Sequence, residues 1–528
     1  MASPVFGPAR SIGWIMWTSV AAMLIGVASL GGTSFAGTTS RSQIGVGSPP
    51  VTGVIDGGAP TGPGAESSTT TPSGPVSVVG AATTIVAVNV GAPVGGAPSA
   101  PGSAPASIGI TASSVPDMAS SSMIPEPTTA PATSSASSVK PGPTTVAPAL
   151  TVDDLRSRIS AALATSTSAS MGIVVSIDGG STVFERNADA PMIPASTQKI
   201  YIAGAALATL GVDTRFVTQV VTGGAIEGTT LRGDLIIRAS GDPSLTSTNL
   251  NTLAAAVKTA GIANVTGSLL VDDSRFDRQT RLPSWKAAFT PGESGWLSAF
   301  SVDGNHRNDA ATVADPALAN VARFRLALRT AGVSVAGPDQ RGSAPAATTQ
   351  LGVQRSAALQ DLVRTFVKKS DNTYAELVTK ELGAHQGLGS TGAGVAAIAQ
   401  YFALLNVAPP AIQEDGSGLS SNNRSSARIQ VRYLQKALAG PTGAALRSAL
   451  AVSCVDGTLK SRTCGTAAAA KVFAKSGSID NVVALTGVTT TASGKPITFS
   501  FLLNNVKSAR LGRSAIDAAL VSIVTSRV

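Results

Sequence analysis

The sequence contains few of the residues that metal, redox and nucleic-acid proteins commonly use. Only 2 cysteines and 2 histidines occur among 528 residues, and their spacing matches no zinc-ligand motif. Aromatic residues make up 4% of the chain and charged residues 13%, both low for a globular protein. The net charge of +9 is spread without a long Lys/Arg block. These absences argue against a metal site and against nucleic-acid binding.

Part of the low aromatic and charged content is due to residues 37–149, which consist mainly of Gly, Ala, Pro, Ser, Thr and Val. A segment of this composition buries too little side chain to offset the entropy that is lost on ordering. We therefore predict a disordered, Pro/Ser/Thr/Gly/Ala-rich stalk at 37–149, followed by folded sequence that starts near residue 150.

The N-terminus has the features of an export segment. Arg10 is the one charged residue before residue 41, and residues 11–36 are uncharged and mainly apolar. Ser34-Phe35-Ala36 is typical of a small-x-small cleavage site, but the apolar stretch is also long enough to span a bilayer. Residues 1–36 are therefore a signal peptide or a membrane anchor. Both alternatives predict that the remainder lies outside the cytoplasm.

The two cysteines, Cys454 and Cys464, are close in sequence. In an oxidising compartment, the simplest expectation for an isolated near pair is a disulfide. The alternative is two unrelated buried thiols.

A candidate nucleophile occurs in the stretch Ala-Ser-Thr-Gln-Lys-Ile-Tyr, where Ser196 and Lys199 are three positions apart. If a helix begins near Ser196, both side chains lie on one face, one turn apart. A serine hydroxyl needs a base, and a lysine amine serves only if burial or a second cation lowers its pKa. The pair alone is weak, because Ser196 as the N-cap of an ordinary helix explains it equally well.

A long interval separates this pair from the next polar cluster. Within it, residues 234–238 and 264–272 are predicted strands, and Asp315-Pro316 predicts the start of a helix. Strands mixed with helices predict an inserted α/β domain and not a loop. The predicted limits are 213–345 for the insertion, with a catalytic domain in two parts at 150–212 and 346–528.

Two further motifs follow along the chain. Ser370-Asp371-Asn372 lies between two predicted helices, and a predicted strand at 471–475 ends in Lys475-Ser476-Gly477. Taken singly, the first is commonly a capping turn and the second a strand end. In this order after Ser196-x-x-Lys199, on helix start, inter-helix loop and strand, the three form a strong signal.

The three motifs resemble those of the serine penicillin-recognising enzymes, whose third motif is usually Lys-Thr-Gly. Ser476 keeps the hydroxyl of that motif. The chain is also similar to the DacB-type D-alanyl-D-alanine carboxypeptidases/endopeptidases, which are class C low-molecular-mass penicillin-binding proteins, at residues 240–245, 297–305, 415–420 and 456–459.

This resemblance implies an α/β (α+β) fold. It is a penicillin-recognising serine transpeptidase/β-lactamase-like domain, with an antiparallel sheet flanked by helices. An α/β domain is inserted between the first two catalytic motifs.

The resemblance also implies a role for each motif residue. Ser196 attacks a D-Ala–D-Ala carbonyl, Lys199 takes its proton, and Ser370 relays a proton to the leaving amine. The implied substrate-binding residues are Asn372 for the penultimate amide, Lys475 and Ser476 for the terminal carboxylate, and Gly477 and Ser478. The backbone N–H groups of Ser196 and Ser478 form the oxyanion hole.

The implied partners are peptidoglycan stem peptides as substrates and β-lactam antibiotics as covalent inhibitors that acylate Ser196. The mechanism requires no metal and no organic cofactor. The membrane is a partner only if the N-terminal segment stays uncleaved.

Alternative functions remain open. A β-lactamase shares the three motifs, but the long interval and the lack of a Glu-x-x-Leu-Asn pattern after Asn372 argue against it. A catalytically silent wall-binding protein on the same fold is disfavoured by the intact serine and lysines. A transpeptidase differs only in whether an amine or water accepts the acyl group. The sequence is compatible with trimming of terminal D-Ala, with cutting of cross-links, and with both.

Overall fold

The structure is a computed structural model that describes residues 151–528. The predicted signal peptide or membrane anchor at 1–36 and the predicted stalk at 37–149 lie outside the described residues. Among the helices of residues 151–528, none is both long enough and apolar enough to cross a membrane.

The helices of this range are α1 Val152–Ala164, α2 Lys199–Leu210, α3 Ser247–Thr259, α4 Ala310–Ala314, α5 Pro316–Thr330, α6 Leu359–Lys369, α7 Asn372–His385, α8 Thr391–Leu404, α9 Ala427–Ala439, α10 Gly443–Ala449 and α11 Ala509–Thr525. The strands are β1 Ser168–Ile177, β2 Thr182–Arg186, β3 Val217–Thr222, β4 Ala225–Glu227, β5 Thr230–Arg232, β6 Leu235–Arg238, β7 Asn264–Val265, β8 Leu269–Asp272, β9 Ser334–Val335, β10 Asp339–Arg341, β11 Thr349–Arg355, β12 Ala451–Val452, β13 Phe473–Ile479, β14 Val482–Thr490 and β15 Pro496–Val506.

The largest sheet is antiparallel, with the strand order β12-β13-β14-β15-β1-β2. Nearly all residues of β14 and β15 are buried, because helices cover both faces of the sheet. On one face, Leu155 of α1 and Ile516 of α11 pack with Phe499. On the other face, Val431 of α9 packs with Val174. This arrangement is the predicted antiparallel sheet flanked by helices.

The helix that follows Ser196, α2, is buried from Lys199 to Leu207 and lies within a layer of helices. The ring of Tyr201 meets the rings of Phe402 and Tyr433 edge-on, with centroids 4.9 Å apart in both pairs. A Cβ at Gly204 would lie 2.4 Å from the Tyr433 hydroxyl oxygen, so α9 approaches α2 closely only because this residue is glycine. Packing on all sides therefore fixes where α2 begins.

The interval between the first two motifs forms two smaller sheets, ordered β10-β8-β6-β3-β11 and β4-β5-β7-β9. Leu253 of α3 and Phe324 of α5 share a hydrophobic core with strand residues such as Leu235. Strand β11 pairs with β3, so the larger of the two sheets extends to Arg355. The predicted limits of the inserted domain, 213–345, remain a prediction, and this pairing favours a C-terminal limit beyond residue 355.

Two predicted strands differ from the structure. Residues 264–272 form two short strands, β7 and β8, which belong to different sheets. Gly267 interrupts them where the backbone passes so close to Asp234 that a Cβ would lie 2.3 Å from its carboxylate oxygen Oδ1. The strand predicted at 471–475 is β13, which begins two residues later, at Phe473, and continues through the third motif to Ile479.

Candidate active site

Ser196 lies in a 3-10 turn, Ala195–Gln198, that leads directly into α2. The residue that caps this turn is Pro194, and its cap has no side-chain hydrogen bond, so the alternative of Ser196 as an ordinary N-cap is wrong. Ala195 has a left-handed backbone with φ 48°. A strained backbone beside a candidate nucleophile persists only when the surrounding packing enforces it.

Two glycine-containing segments enclose this turn. A Cβ at Gly418 would lie 2.1 Å from the carbonyl oxygen of Ala195, and a Cβ at Gly477 would lie 2.8 Å from that of Pro194. The close contact with Gly477 brings strand β13 beside the turn. The backbone amides of Ser196 and Ser478 therefore belong to neighbouring segments, as an oxyanion hole requires.

Lys199 is fully buried, and its Nζ atom has three polar neighbours. These are Asn372 Oδ1 at 2.6 Å, the Ser417 carbonyl oxygen at 2.7 Å and Ser196 Oγ at 3.1 Å. Burial lowers the pKa of Lys199 to about 8, while the nearby carboxylates of Asp415 and Glu376 act in the opposite direction. A neutral amine has two N–H bonds and one lone pair, and the two carbonyl oxygens can only accept. The lone pair then faces the hydroxyl of Ser196.

The second motif lies at the junction of α6 and α7. Ser370 ends α6 with a left-handed backbone, φ 62°, and its Oγ accepts a hydrogen bond from Lys475 Nζ at 3.0 Å. Asp371 caps α7 by accepting from the Tyr374 amide, which gives it a local structural role. Asn372 Nδ2 donates to the Glu293 carbonyl oxygen at 2.8 Å. That contact turns the Asn372 Oδ1 atom towards Lys199.

The third motif lies on β13. Lys475 is fully buried, and its Nζ also donates to the Ser476 carbonyl oxygen at 2.6 Å. Burial, and then the charge of Lys199, holds the pKa of Lys475 well below its ordinary value. The Ser476 hydroxyl donates to Thr458 Oγ1 at 2.7 Å. Three distant stretches of sequence thus meet at one site. Hydrogen bonds join Lys199 to Ser196 and Asn372, and Lys475 to Ser370, and the charges of the two lysines interact.

Two buried carboxyl groups support this cluster, and the sequence did not predict either. Asp415 accepts hydrogen bonds at 2.7–3.1 Å from the side chains of Gln198, Trp285 and Asn423 and the amides of Gly418 and Ser420. It holds the turn that presents the Ser417 carbonyl to Lys199. The sequence placed residues 415–420 among the stretches that are similar to the DacB-type enzymes, but it gave Asp415 no role.

The second carboxyl group is Glu376, which accepts from the amides of Gly416 and Ser417 at 3.0 and 2.6 Å. Burial, together with the charge of Asp415, raises the pKa of Glu376 to about 8. One signal was available in the sequence. Glu376 follows Asn372 by four residues, so the two share a face of α7.

The predicted disulfide between Cys454 and Cys464 is present, with the sulfur atoms 2.07 Å apart. It closes a loop next to the third motif. Among residues 151–528, no group of three or more His, Cys, Asp or Glu side chains has an arrangement that could hold a metal ion.

This combination of sheet, helical layer and serine–lysine cluster defines the class of serine penicillin-recognising enzymes. Residues 155–305 and 297–526 match the D-Ala-D-Ala carboxypeptidase 3 (S13) family, and the chain belongs to that family. The predicted fold class and the predicted serine-type D-alanyl-D-alanine carboxypeptidase are confirmed.

Individual relatives agree with this assignment. The chain is 27% identical to a D-alanyl-D-alanine carboxypeptidase of Actinomadura sp. (strain R39), over 66% of this chain and 80% of the relative. It is 31% identical to carboxypeptidase Rv3627c of Mycobacterium tuberculosis, over 64% and 76%. The crystal structure of penicillin binding protein 4 (dacB) of Haemophilus influenzae shares the fold, with a TM-score of 0.61, 22% identity and coverage of 69% and 97%. An enzyme of this kind acts outside the cytoplasm, as the sequence predicted.

Proposed function

We propose that the protein hydrolyses the terminal D-Ala–D-Ala bond of peptidoglycan stem peptides through an acyl-enzyme on Ser196. The observation that carries the proposal is the surroundings of Lys199 Nζ. Its contacts with Asn372 Oδ1 and the Ser417 carbonyl occupy both N–H bonds of a neutral amine, which leaves the lone pair to Ser196.

Acylation then follows from the positions of four side chains. As Ser196 Oγ bonds to the substrate carbonyl carbon, its proton passes to Lys199 Nζ. The backbone N–H groups of Ser196 and Ser478 stabilise the oxyanion. When the C–N bond breaks, the leaving D-Ala amine takes a proton through Ser370, whose hydroxyl contacts Lys475 Nζ. Water later hydrolyses the acyl-enzyme.

Substrate binding uses the third motif and Asn372. Lys475, Ser476, Gly477 and Ser478 bind the terminal carboxylate, and an arriving carboxylate favours the charged form of Lys475. Asn372 has a second N–H bond on Nδ2 for the penultimate amide, besides the one that it gives to Glu293. A β-lactam presents a carboxylate and a strained amide in the same way, so it acylates Ser196.

The same chemistry acts on a D-Ala bond within a cross-link, so a D,D-endopeptidase activity is part of the proposal. The protein works on the cell-wall side of the membrane, either secreted or held by residues 1–36 as a single N-terminal helix.

D-Ala release tests the proposal. The full-length protein and its Ser196→Ala variant are incubated with a peptide that ends in D-Ala–D-Ala. We expect release by the wild type and a loss of at least about 10³-fold in the variant. Rapid hydrolysis of penicillin without D-Ala release would favour a β-lactamase. A folded protein that does neither would contradict the proposal and favour a silent wall-binding protein.

A further inference from the structure

One hydroxyl beside the third motif has no role in the mechanism above. Thr458 is exposed, and its Oγ1 accepts the hydrogen bond that the Ser476 hydroxyl donates at 2.7 Å. Thr458 therefore keeps its own hydroxyl proton to donate elsewhere. It belongs to the stretch Asp-Gly-Thr-Leu at 456–459, which is similar to a motif of the DacB-type enzymes.

Several contacts fix the loop that carries Thr458. Asp456 forms an ion pair with Lys368, near the end of α6, and accepts from the Val452 amide at 2.8 Å. Gly457, with φ 55°, packs so tightly that a Cβ would lie 2.7 Å from the Lys368 carbonyl oxygen. The loop thus contacts α6 at Lys368, two residues before Ser370. The hydroxyl of Ser370 is the one that Lys475 contacts.

The edge of the sheet is open beside Ser476. Strand β12 pairs only with Phe473 and Ala474 of β13, so it ends before the third motif. The 3-10 turn Gly457–Leu459 lies next to this edge and brings Thr458 to Ser476. Covalent closure by the Cys454–Cys464 disulfide restricts the loop to few conformations.

We propose that Thr458 binds the terminal carboxylate of the substrate together with Ser476, and that the disulfide holds Thr458 in position. A carboxylate has two oxygens and prefers several donors. Thr458 offers its own hydroxyl proton to one oxygen, and the Ser476 proton, which Thr458 accepts in this structure, turns to the other oxygen beside Lys475 when the carboxylate binds. This inference rests on the proposed function and adds a residue to its carboxylate site.

Acylation by a ligand with and without a carboxylate tests the inference. Full-length wild type, Thr458→Val and Thr458→Ser are each treated with benzylpenicillin and with its methyl ester, and intact mass gives the rates. We expect Thr458→Val to slow acylation by benzylpenicillin about tenfold and acylation by the ester less than about twofold. Thr458→Ser keeps the hydroxyl and should stay near the wild type.

Ser461→Ala is the matched control, because Ser461 is an exposed hydroxyl within the same disulfide loop. It should leave both rates unchanged. An equal loss with both ligands in Thr458→Val would mean that Thr458 only supports the loop, and no loss would overturn the inference. A wild type that neither ligand acylates would instead overturn the proposed function, and the Thr458 site with it.

The disulfide is tested by the Cys454→Ser/Cys464→Ser variant and, independently of refolding, by wild type reduced in its folded state. We expect the same selective loss of about tenfold with benzylpenicillin and not with the ester. An unchanged ratio of the two rates in a protein shown to be reduced would overturn the role of the disulfide.

Discussion

The amine of Lys199 has to lose its proton while it lies beside the Ser196 hydroxyl, and the protein lowers the pKa of this amine mainly by burial. Burial lowers the pKa of Lys199 to about 8, against the pull of Asp415 and Glu376. Neutral pH therefore leaves a fraction of the amine free to act as a base. In the remaining protonated fraction, Lys199 Nζ donates to the same two oxygens that orient the neutral amine, Asn372 Oδ1 and the Ser417 carbonyl oxygen.

The pH dependence of turnover follows from this amine. We expect kcat/KM for D-Ala release to rise through an apparent pKa near 8, because Lys199 acts as a base only without its proton. Well below that value the rate falls roughly tenfold per pH unit. The titratable groups that face Lys199 are Asp415, Glu376, Asp371, Glu293 and Lys475. A rate that is flat from about pH 6 to about pH 9 would contradict Lys199 as the base.

Stability should also depend on pH, through Glu376. Its pKa is raised from 4.5 to about 8, so the folded state binds its proton more tightly than the unfolded state. The stabilisation is complete below about pH 4.5 and is lost as the pH rises towards about 8. We expect the melting temperature of Glu376→Gln to fall less over this window than that of the wild type.

Glu414→Gln is the control for this measurement, because the pKa of Glu414 is lowered by its hydrogen bond with Ser420 and the group titrates below the window. It should melt with the pH dependence of the wild type. If Glu376→Gln shows that same dependence, Glu376 does not titrate in this range.

The sequence was informative about the reacting side chains, but for the two buried carboxyl groups its one signal was the position of Glu376 on the same face of α7 as Asn372. The residue types and spacing of Ser196 and Lys199 suggested a nucleophile with its base, and the resemblance of the three motifs to a known family implied the roles of Ser370 and Lys475. The roles of Asp415 and Glu376 depend on burial and on contacts between distant segments. No local pattern encodes such contacts.

Among the secondary-structure elements, the 3-10 turn of Ser196 depends most on close packing. Its backbone is enclosed by the glycine-rich turn on one side and by β13 on the other. Gly418 has φ 84° and faces the Ala195 carbonyl with no room for a Cβ. The same residue belongs to the turn that presents the Ser417 carbonyl to Lys199.

Replacing Gly418 with alanine should damage both stability and activity. The left-handed backbone alone costs about 1–2 kcal/mol. The clash with Ala195 adds at least about 2 kcal/mol and moves Ser196. Gly494→Ala is a matched control, since Gly494 also has φ 84° but a Cβ there would meet no atom within 4 Å. Denaturant melts and D-Ala release measure both effects, and equal losses in the two variants would contradict this account.

Local sequence patterns predicted some secondary-structure elements well. They failed where two segments that are distant in sequence come into close contact. The stretch from Thr151 to Asp154 predicts a capped helix start, and Asp178-Gly179-Gly180 predicts a hairpin turn. The structure has a capping box at Thr151 and the β1–β2 hairpin around that turn. Both depend on residues that are close in sequence. The apolar run at 264–272 indicated one strand, but Gly267 lets two sheets approach and divides it. A contact of this kind can be predicted only when both of the segments that form it are known.

Across residues 151–528, the inserted interval is tied to the helix that carries Asn372. Arg275 forms an ion pair with Glu381 of α7, and Asp277 forms one with the fully buried Lys380 of the same helix. Glu293, from the same interval, binds Asn372 through its carbonyl. The inserted interval therefore takes part in orienting the catalytic cluster. The three motifs alone predicted the reacting residues but not these contacts, because the contacts come from the interval between the motifs.

The location of the acyl group shows whether Ser196 is the nucleophile. Full-length protein is treated with labelled benzylpenicillin, quenched and digested with trypsin, and the label is mapped by mass spectrometry. We predict a penicilloyl group on Ser196, within the tryptic peptide 187–199, and no label on Ser196→Ala. Label on a different residue, or the same labelling of Ser196→Ala, would contradict the account.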